Sequence, residues 1–462
     1  MAWLRKALRH GPVVTSGQAA ISTSALMPVS NLASTEASSA ASAAVAELSH
    51  SLDFVLDQFG DEEEPGDQLQ YHIDRLSEEA EKYTVSSLDN IQGEEWPCSP
   101  GMGELIKAVC QCAVMVYDQT QVIGPKGFDI EPVLHRTPST LGTVKASSMW
   151  KLPFVPIPGW NGKTLVVSVG GTSTIADHMV NMNDKPKDAA CLFNFSERGQ
   201  DLKVEAHSGF LACAQAITSS IAQDIDEQLA ADDSISNIIF TGHSAGGAVA
   251  SLIFLHFALQ ENASPQIVRS KLSLITFGSA PTTTLPIRIP DLRHSRPNIG
   301  PTLAILNEYD MIPRADRAYI RSIVDLYRTS HGLAPLHTPP PEADAESKAR
   351  LAWPLPPPQY NLVGDIIVLR LRLSGGGSSA PVDDALSQTS MLTAPIVEAV
   401  RVAPGEFGRL LFCDLATHRR RTYLERMDIW AGQVRGCEAL SPVSGTLPDW
   451  AAGFYGGGKG EW

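Results

Sequence analysis

The sequence predicts an α/β fold, with a central and mainly parallel sheet carrying helices on both faces. Three observations predict it. Short apolar, β-branched runs such as Thr164-Leu165-Val166-Val167-Ser168-Val169 alternate with longer helical patterns. Buried parallel strands joined by crossover helices read this way. One such run, Asn237-Ile238-Ile239-Phe240-Thr241, passes through Gly242-His243-Ser244-Ala245-Gly246 into an apolar helix over Ala248–Leu259. That is a strand, a G-x-S-x-G turn and a helix, the layout of a nucleophile elbow. Two further buried runs, Leu272–Phe277 and Thr302–Leu306, follow it, and the second ends in Asn307-Glu308-Tyr309-Asp310.

Composition fits this reading and narrows the function. The chain has 462 residues, 43% hydrophobic and 19% charged, which is ordinary for a globular protein. A net charge of −15 argues against nucleic acid as the main partner and gives no reason for docking on anionic lipid. The longest apolar run, Ala248–Leu259, is too short to span a bilayer, so no transmembrane segment is expected. Seven scattered cysteines, with no Cys/His set at zinc spacing, read as reduced intracellular thiols. No metal and no cofactor is expected.

Taken in order, residues 1–46 read as a disordered tail, rich in Ser and Ala. Its first ten residues are basic and mildly amphipathic, compatible with either a mitochondrial presequence or a solvated tail. The expected location is otherwise intracellular and cytoplasmic. Residues 47–100 form a helical extension, with helices expected at Leu48–Phe59 and Gln68–Leu88 around an acidic Pro-Gly break. The main domain is expected over 101–435, with a helix at Leu105–Tyr117 and short strands and turns over 120–162. A short helix is expected at Thr174–Asp184 and another from His207 to Gln228. The proline-rich stretch 335–358 reads as a surface insertion. Leu362–Leu373 returns to strand character, with Gly364 as a candidate bulge. A helix is expected at Arg419–Trp430, and residues 436–462 form a tail.

The elbow asks for a base, an orienting acid and oxyanion donors. In this arrangement the chain order is Ser, then acid, then His. Ser244 is the candidate nucleophile. Asp310, just past a buried strand at the edge where Ser244 emerges, is the candidate acid. The competing reading makes it a loop aspartate beside Pro313 and Arg314, with Asp316 as fallback. Three histidines follow: His331, His337 and His418. A base must be held rigidly within hydrogen-bond reach of the serine. His418, at the end of the last apolar element, suits that better than the two flanking the insertion. Its competing reading is an exposed histidine beside Arg419, Arg420 and Arg421. The oxyanion donors are expected to be the backbone N–H groups of Ala245 and Thr172, the latter after the strand ending Gly170-Gly171. His243 reads as a packing or hydrogen-bonding residue and His207 as a helix start.

With these residues assembled, the chain resembles the fungal lipase-like (class 3) family of α/β-hydrolases. Val166–Ile175 is similar to the family's oxyanion strand, and His207-Ser208-Gly209-Phe210 to its H-x-G-F helix start. Gly242–Ala248 resembles its G-H-S-x-G-G-A elbow. Thr276–Pro281 and Asn307–Pro313 resemble its T-F-G-x-P strand and its D-x-[IV]-P acid loop. The resemblance implies an α/β-hydrolase fold, ester hydrolysis on lipids, and a lid helix at about Ile175–Asn183 that makes transient contact with a lipid interface. Tyr423 fits a family-like H…Y helix after His418. Two features depart from the family: Gly170 stands where an arginine is usual, and the Asp310–His418 spacing is long. The expected activity is that of a serine hydrolase on lipid carboxylic esters. The alternatives are a non-catalytic lipid-binding or scaffold protein on the same fold, and a general short-chain esterase.

Overall fold

The computed structural model describes residues 67–117, 130–136, 146–171, 186–197, 200–260, 264–338, 352–373 and 395–440. The expected N-terminal tail, the helix Leu48–Phe59, the short helix and lid after Thr174, Thr172 itself and most of the tail expected over 436–462 lie outside them; the first five residues of that tail instead end the helix Arg420–Leu440, which runs past the expected end at Trp430.

Nine strands form one sheet in the order β1-β13-β12-β11-β10-β9-β4-β3-β2. They are β1 (Gly93–Glu95), β2 (Glu131–Arg136), β3 (Ala146–Leu152), β4 (Lys163–Gly170), β9 (Ile235–His243), β10 (Lys271–Phe277), β11 (Ile299–Asn307), β12 (Asp365–Leu373) and β13 (Pro395–Val402). Four short strands, β5 to β8, lie between Lys187 and Ala206 and form two small ribbons. The centre of the large sheet, β4-β9-β10-β11-β12, is parallel throughout. Both edges are antiparallel: β3 and β2 on one side, β13 and β1 on the other. The mainly parallel reading describes the centre of the sheet, and antiparallel neighbours close it at both edges.

Period-2 alternation deals the strand side chains to opposite faces, where most meet in two large cores, with a third, smaller cluster around Leu306, Val368 and Phe412. Leu165, Val167, Val169, Ile238, Phe240, Leu272 and Leu274 face one core. There they meet helices α1 (Asp67–Ala80), α3 (Ser208–Ala231), α4 (Ala245–Leu259) and α7 (Arg317–Ser330). Val166, Ile239, Ile275, Ile305 and Ile367 face the other, against α2 (Pro100–Met115) and α9 (Arg420–Leu440). Two short helices, α5 (Pro265–Arg269) and α6 (Ile289–Ser295), join neighbouring strands, and α8 (Pro404–Phe407) follows β13. Helices thus cover both faces. Helix α4 is apolar all round because it is buried all round.

Three further expectations change in detail. The helical stretch read over Gln68–Leu88 is a helix only to Ala80, followed by two 3-10 turns at Thr84–Ser86 and Leu88–Asn90. Tyr83, Val85 and Leu88 are buried against the body, so tertiary contacts override local helical spacing there. Gly364 marks no bulge. It precedes β12 with φ of 102°, and a Cβ there would lie 2.5 Å from the carbonyl oxygen of Thr302. The described flanks of the proline-rich stretch, read as a surface insertion, are tied to α7. Asp325, fully buried on α7, accepts from the N–H groups of Leu336, His337 and Thr338. Trp353, also buried, donates its indole N–H to Ser322.

Candidate active site

At the C-terminal edge of the parallel strands, the chain turns sharply between β9 and α4. Ser244 stands at that turn with φ of 59° and ψ of −128°. A side chain pays for this left-handed conformation unless its surroundings hold it. The glycines make the close approach possible. A Cβ on Gly242 would lie 2.5 Å from the carbonyl carbon of Gly246, and one on Gly246 would lie 2.1 Å from the carbonyl oxygen of Val169. The Ser244 N–H donates to the carbonyl of Phe277 at the end of β10 (3.0 Å), which pins the strained residue. Ala245 is the first residue of α4, so its N–H belongs to the first turn and has no partner further back in the helix.

His418 comes from a 3-10 turn, Ala416–His418, just before α9. Its Nε2 lies 2.9 Å from Ser244 Oγ, and its Nδ1 lies 2.8 Å from Asp310 Oδ2. The three residues are almost fully excluded from solvent: 2%, 0% and 0% exposed for Ser244, His418 and Asp310. An ionised carboxylate only accepts, so the proton sits on Nδ1, and Nε2 is left to accept from the serine hydroxyl.

Asp310 is held by the loop after β11. Its Oδ1 accepts from the N–H of Ile312 (2.9 Å), and its Oδ2 accepts from the Tyr423 hydroxyl (2.7 Å) as well as from His418. Tyr423 in turn accepts from the N–H of Asn307 (3.0 Å), while Asn307 Nδ2 donates to the carbonyl of Thr417 beside the base. Burial, then the charge of Asp310, push the Tyr423 hydroxyl well above its ordinary range, so it acts as a neutral donor. The loops of Asp310 and His418 also meet through a parallel bridge between Asp310 and Asp414.

The other histidines serve elsewhere. His243 Nε2 donates to the carbonyl of His418 (2.9 Å), and the two rings lie 4.7 Å apart. Burial first, then the charges of His418 and Arg420, hold His243 well below the usual histidine range. His207 precedes α3, and its ring lies 4.5 Å from that of Phe210 and 5.6 Å from that of Tyr360, tilted against both. His331 follows the end of α7 with its ring on Tyr327, and His337 lies beside Asp325. Asp316, the fallback acid, caps α7 through the N–H of Tyr319. Its second oxygen accepts from Gln359.

The structure therefore brings Ser244, Asp310 and His418 together, with Ala245 beside them. Thr172 lies outside the described residues. Two participants escaped the sequence reading. Asn307 was recognised only as part of a motif. Tyr117, at the end of α2, carried no signal, since its contacts are with residues 54 and more positions away. Among the described residues, no group of three or more His, Cys, Asp or Glu could hold a metal ion. No described helix is long and apolar enough to cross a membrane.

A mixed sheet with a parallel centre, a serine on a strained strand–helix turn, and an acid and a histidine delivered to the same edge define an α/β-hydrolase. Within that class the chain resembles the class 3 lipases: residues 166–319 match the family model described as Lipase (class 3). No curated protein sequence matches the chain. Among solved structures, the lipase–propeptide complex of Rhizomucor miehei aligns over 52% of this chain and 70% of its own, at 18% identity and a TM-score of 0.34. Lip2 lipase of Yarrowia lipolytica aligns over 48% and 76%, at 15% identity and 0.36. A triacylglycerol lipase of Penicillium expansum aligns over 59% and 81%, at 12% identity and 0.34. These likenesses are loose, and neither the fold nor the site rests on them.

Proposed function

We propose that the protein is a serine hydrolase that cleaves carboxylic esters of lipids. The observation that supports this best is the Asp310–His418–Ser244 relay, with both of its hydrogen bonds formed at 2.8 and 2.9 Å. The class 3 lipase match over residues 166–319 points to the same substrate class.

In this reading Ser244 Oγ attacks the ester carbonyl carbon as its proton passes to His418 Nε2. Asp310 holds the imidazole in its tautomer and offsets the imidazolium charge. The carbonyl π electrons move to oxygen, and the N–H groups of Ala245 and Thr172 receive the oxyanion, aided by the N-terminus of α4. Collapse breaks the bond to the alcohol oxygen, which takes the proton from Nε2 and leaves an acyl-enzyme. Water then attacks the acyl carbon, giving one proton to His418, and the acid departs as Ser244 recovers its hydrogen.

A fluorophosphonate probe is expected to label wild-type protein at Ser244. The Ser244→Ala variant is expected to melt like wild type, take no label, and lose at least about 10⁴-fold in kcat on p-nitrophenyl esters. Hydrolysis by a folded Ser244→Ala protein at the wild-type rate would sink the reading. A p-nitrophenyl ester series is expected to favour long acyl chains. Preference for acetate would replace the lipid substrate with a short-chain one.

A further inference from the structure

Where the resembled family carries an arginine before the oxyanion segment, this chain has Gly170. The space that side chain would need is filled. A Cβ on Gly170 would lie 3.3 Å from both the carbonyl oxygen of Ala146 and Val116 Cγ1. Val116 caps the C-terminus of α2, and the next residue, Tyr117, sends its hydroxyl into the gap between β4 and the elbow.

That hydroxyl makes two bonds to two different segments. It accepts from the N–H of Gly171 at 2.7 Å and lies 3.3 Å from the carbonyl of His243, to which it donates. Gly171 is the residue before Thr172, and His243 is the residue before Ser244. A third segment closes the arrangement: the Arg420 guanidinium lies 4.4 Å from the centre of the Tyr117 ring, and Arg420 is two residues past His418. Gly171 itself is jammed against the elbow. A Cβ there would lie 2.9 Å from Gly246 N and 3.2 Å from Ala245 Cβ. One side chain thus ties the end of β4, the turn that carries the nucleophile and the start of the helix that follows the base.

We propose that Tyr117 is a positioning residue of the oxyanion hole: its hydroxyl ties the end of β4 at Gly171 to the turn that carries Ser244 and Ala245, and so fixes where the Ala245 donor stands against β4. The inference rests on the hydrolase reading and deepens it. Burial raises the Tyr117 hydroxyl above its ordinary range, which keeps it neutral and able to accept from Gly171 and donate to His243 together. An oxyanion hole works only when its donors are fixed before charge develops. A displacement of the order of 1 Å costs about 100-fold.

Tyr117→Phe tests this, since it keeps the ring and the Arg420 contact and deletes both hydrogen bonds. On a soluble p-nitrophenyl ester, kcat is expected to fall about 10- to 100-fold with KM changed less than about threefold. The affinity for an aryl boronic acid, which mimics the tetrahedral state, is expected to weaken by the same factor as kcat/KM. The pH at which the rate is half-maximal is expected to stay put, because the His418–Asp310 bond is untouched. A kcat within twofold of wild type, or a loss of kcat with boronic acid affinity unchanged, would overturn the proposal, whatever happens to the melting temperature. Failure of the hydrolase reading shows separately, as absence of fluorophosphonate labelling at Ser244 in wild-type protein.

Discussion

His243 and His418 are buried neighbours, yet they are wired oppositely. His418 has a carboxylate on one nitrogen and a hydroxyl on the other, so it can take and return a proton. His243 faces a carbonyl and has no recorded carboxylate partner among the described residues, and burial holds it well below 6.5, the ordinary value. It serves as a neutral donor that fixes the backbone of His418. A pH dependence follows. Below about pH 6.5 the unfolded chain takes up a proton at His243 that the folded chain refuses. The stability present above that pH is therefore lost as the pH falls, with a limiting slope of about 1.4 kcal/mol per pH unit. The melting temperature of wild type is expected to drop between pH 7 and 5 more steeply than that of His243→Asn, which keeps a donor without a titrating ring. Parallel curves would show that His243 is not the titrating group.

At the scale of elements, the 3-10 turn Ile312–Arg314 separates two aspartates that the sequence left in competition. Asp310 precedes the 3-10 turn before α7 and reaches His418, while Asp316 caps the helix and holds Gln359. Asp316→Ala is expected to cost about 1–2 kcal/mol in urea unfolding and to leave kcat within about twofold. Asp310→Ala is expected to do the reverse, abolishing turnover. An Asp316→Ala protein that folds well but turns over a hundredfold more slowly would contradict this division. The competition also shows what the sequence can express. The strands β4, β9, β10 and β11 were legible because each is buried on both faces and therefore mostly apolar. Ser244 was legible because its strained turn demands glycines at fixed offsets. The edge strands gave no such signal: β1 is exposed at all three residues, and β13 mixes exposed and buried positions without a clean alternation. Tyr117 was silent for a similar reason. A tyrosine at a helix end looks the same whether its hydroxyl meets water or a backbone 54 residues away.

For the molecule as a whole, residues 67–95 bear directly on the site, although they precede the expected start of the hydrolase body. Helix α1 places Ile73 and Leu76 in the main core, and Tyr83 packs edge-on to Trp353 at 5.1 Å. Leu88 donates its N–H to Glu308, two residues before Asp310 (3.0 Å). Val85 accepts from the N–H of Leu411, on the chain leading to His418 (2.8 Å). Strand β1 then covers the outer edge of β13. Burying a large apolar side chain stabilises by about 1.5–3 kcal/mol. Ile73, Leu76, Tyr83, Val85 and Leu88, all buried, thus contribute an amount comparable with the whole stability of a typical domain, about 5–15 kcal/mol. A chain beginning at Trp96 is expected to lose its cooperative melt and its esterase activity together. It is also expected to aggregate through the uncovered edge of β13. Circular dichroism melting and light scattering would check this. A truncated protein that melts cooperatively, stays monomeric and keeps wild-type kcat would mean that the acid and base loops hold their geometry without the N-terminal segment. Glu308 then offers a finer probe. Glu308→Gln can still accept from Leu88 while removing a carboxylate that burial pushes above its ordinary range, so it is expected to leave kcat within about twofold and to match or exceed wild-type stability at pH 7. Glu308→Ala, which strands the Leu88 N–H, is expected to cost about 1–3 kcal/mol in the same unfolding assay.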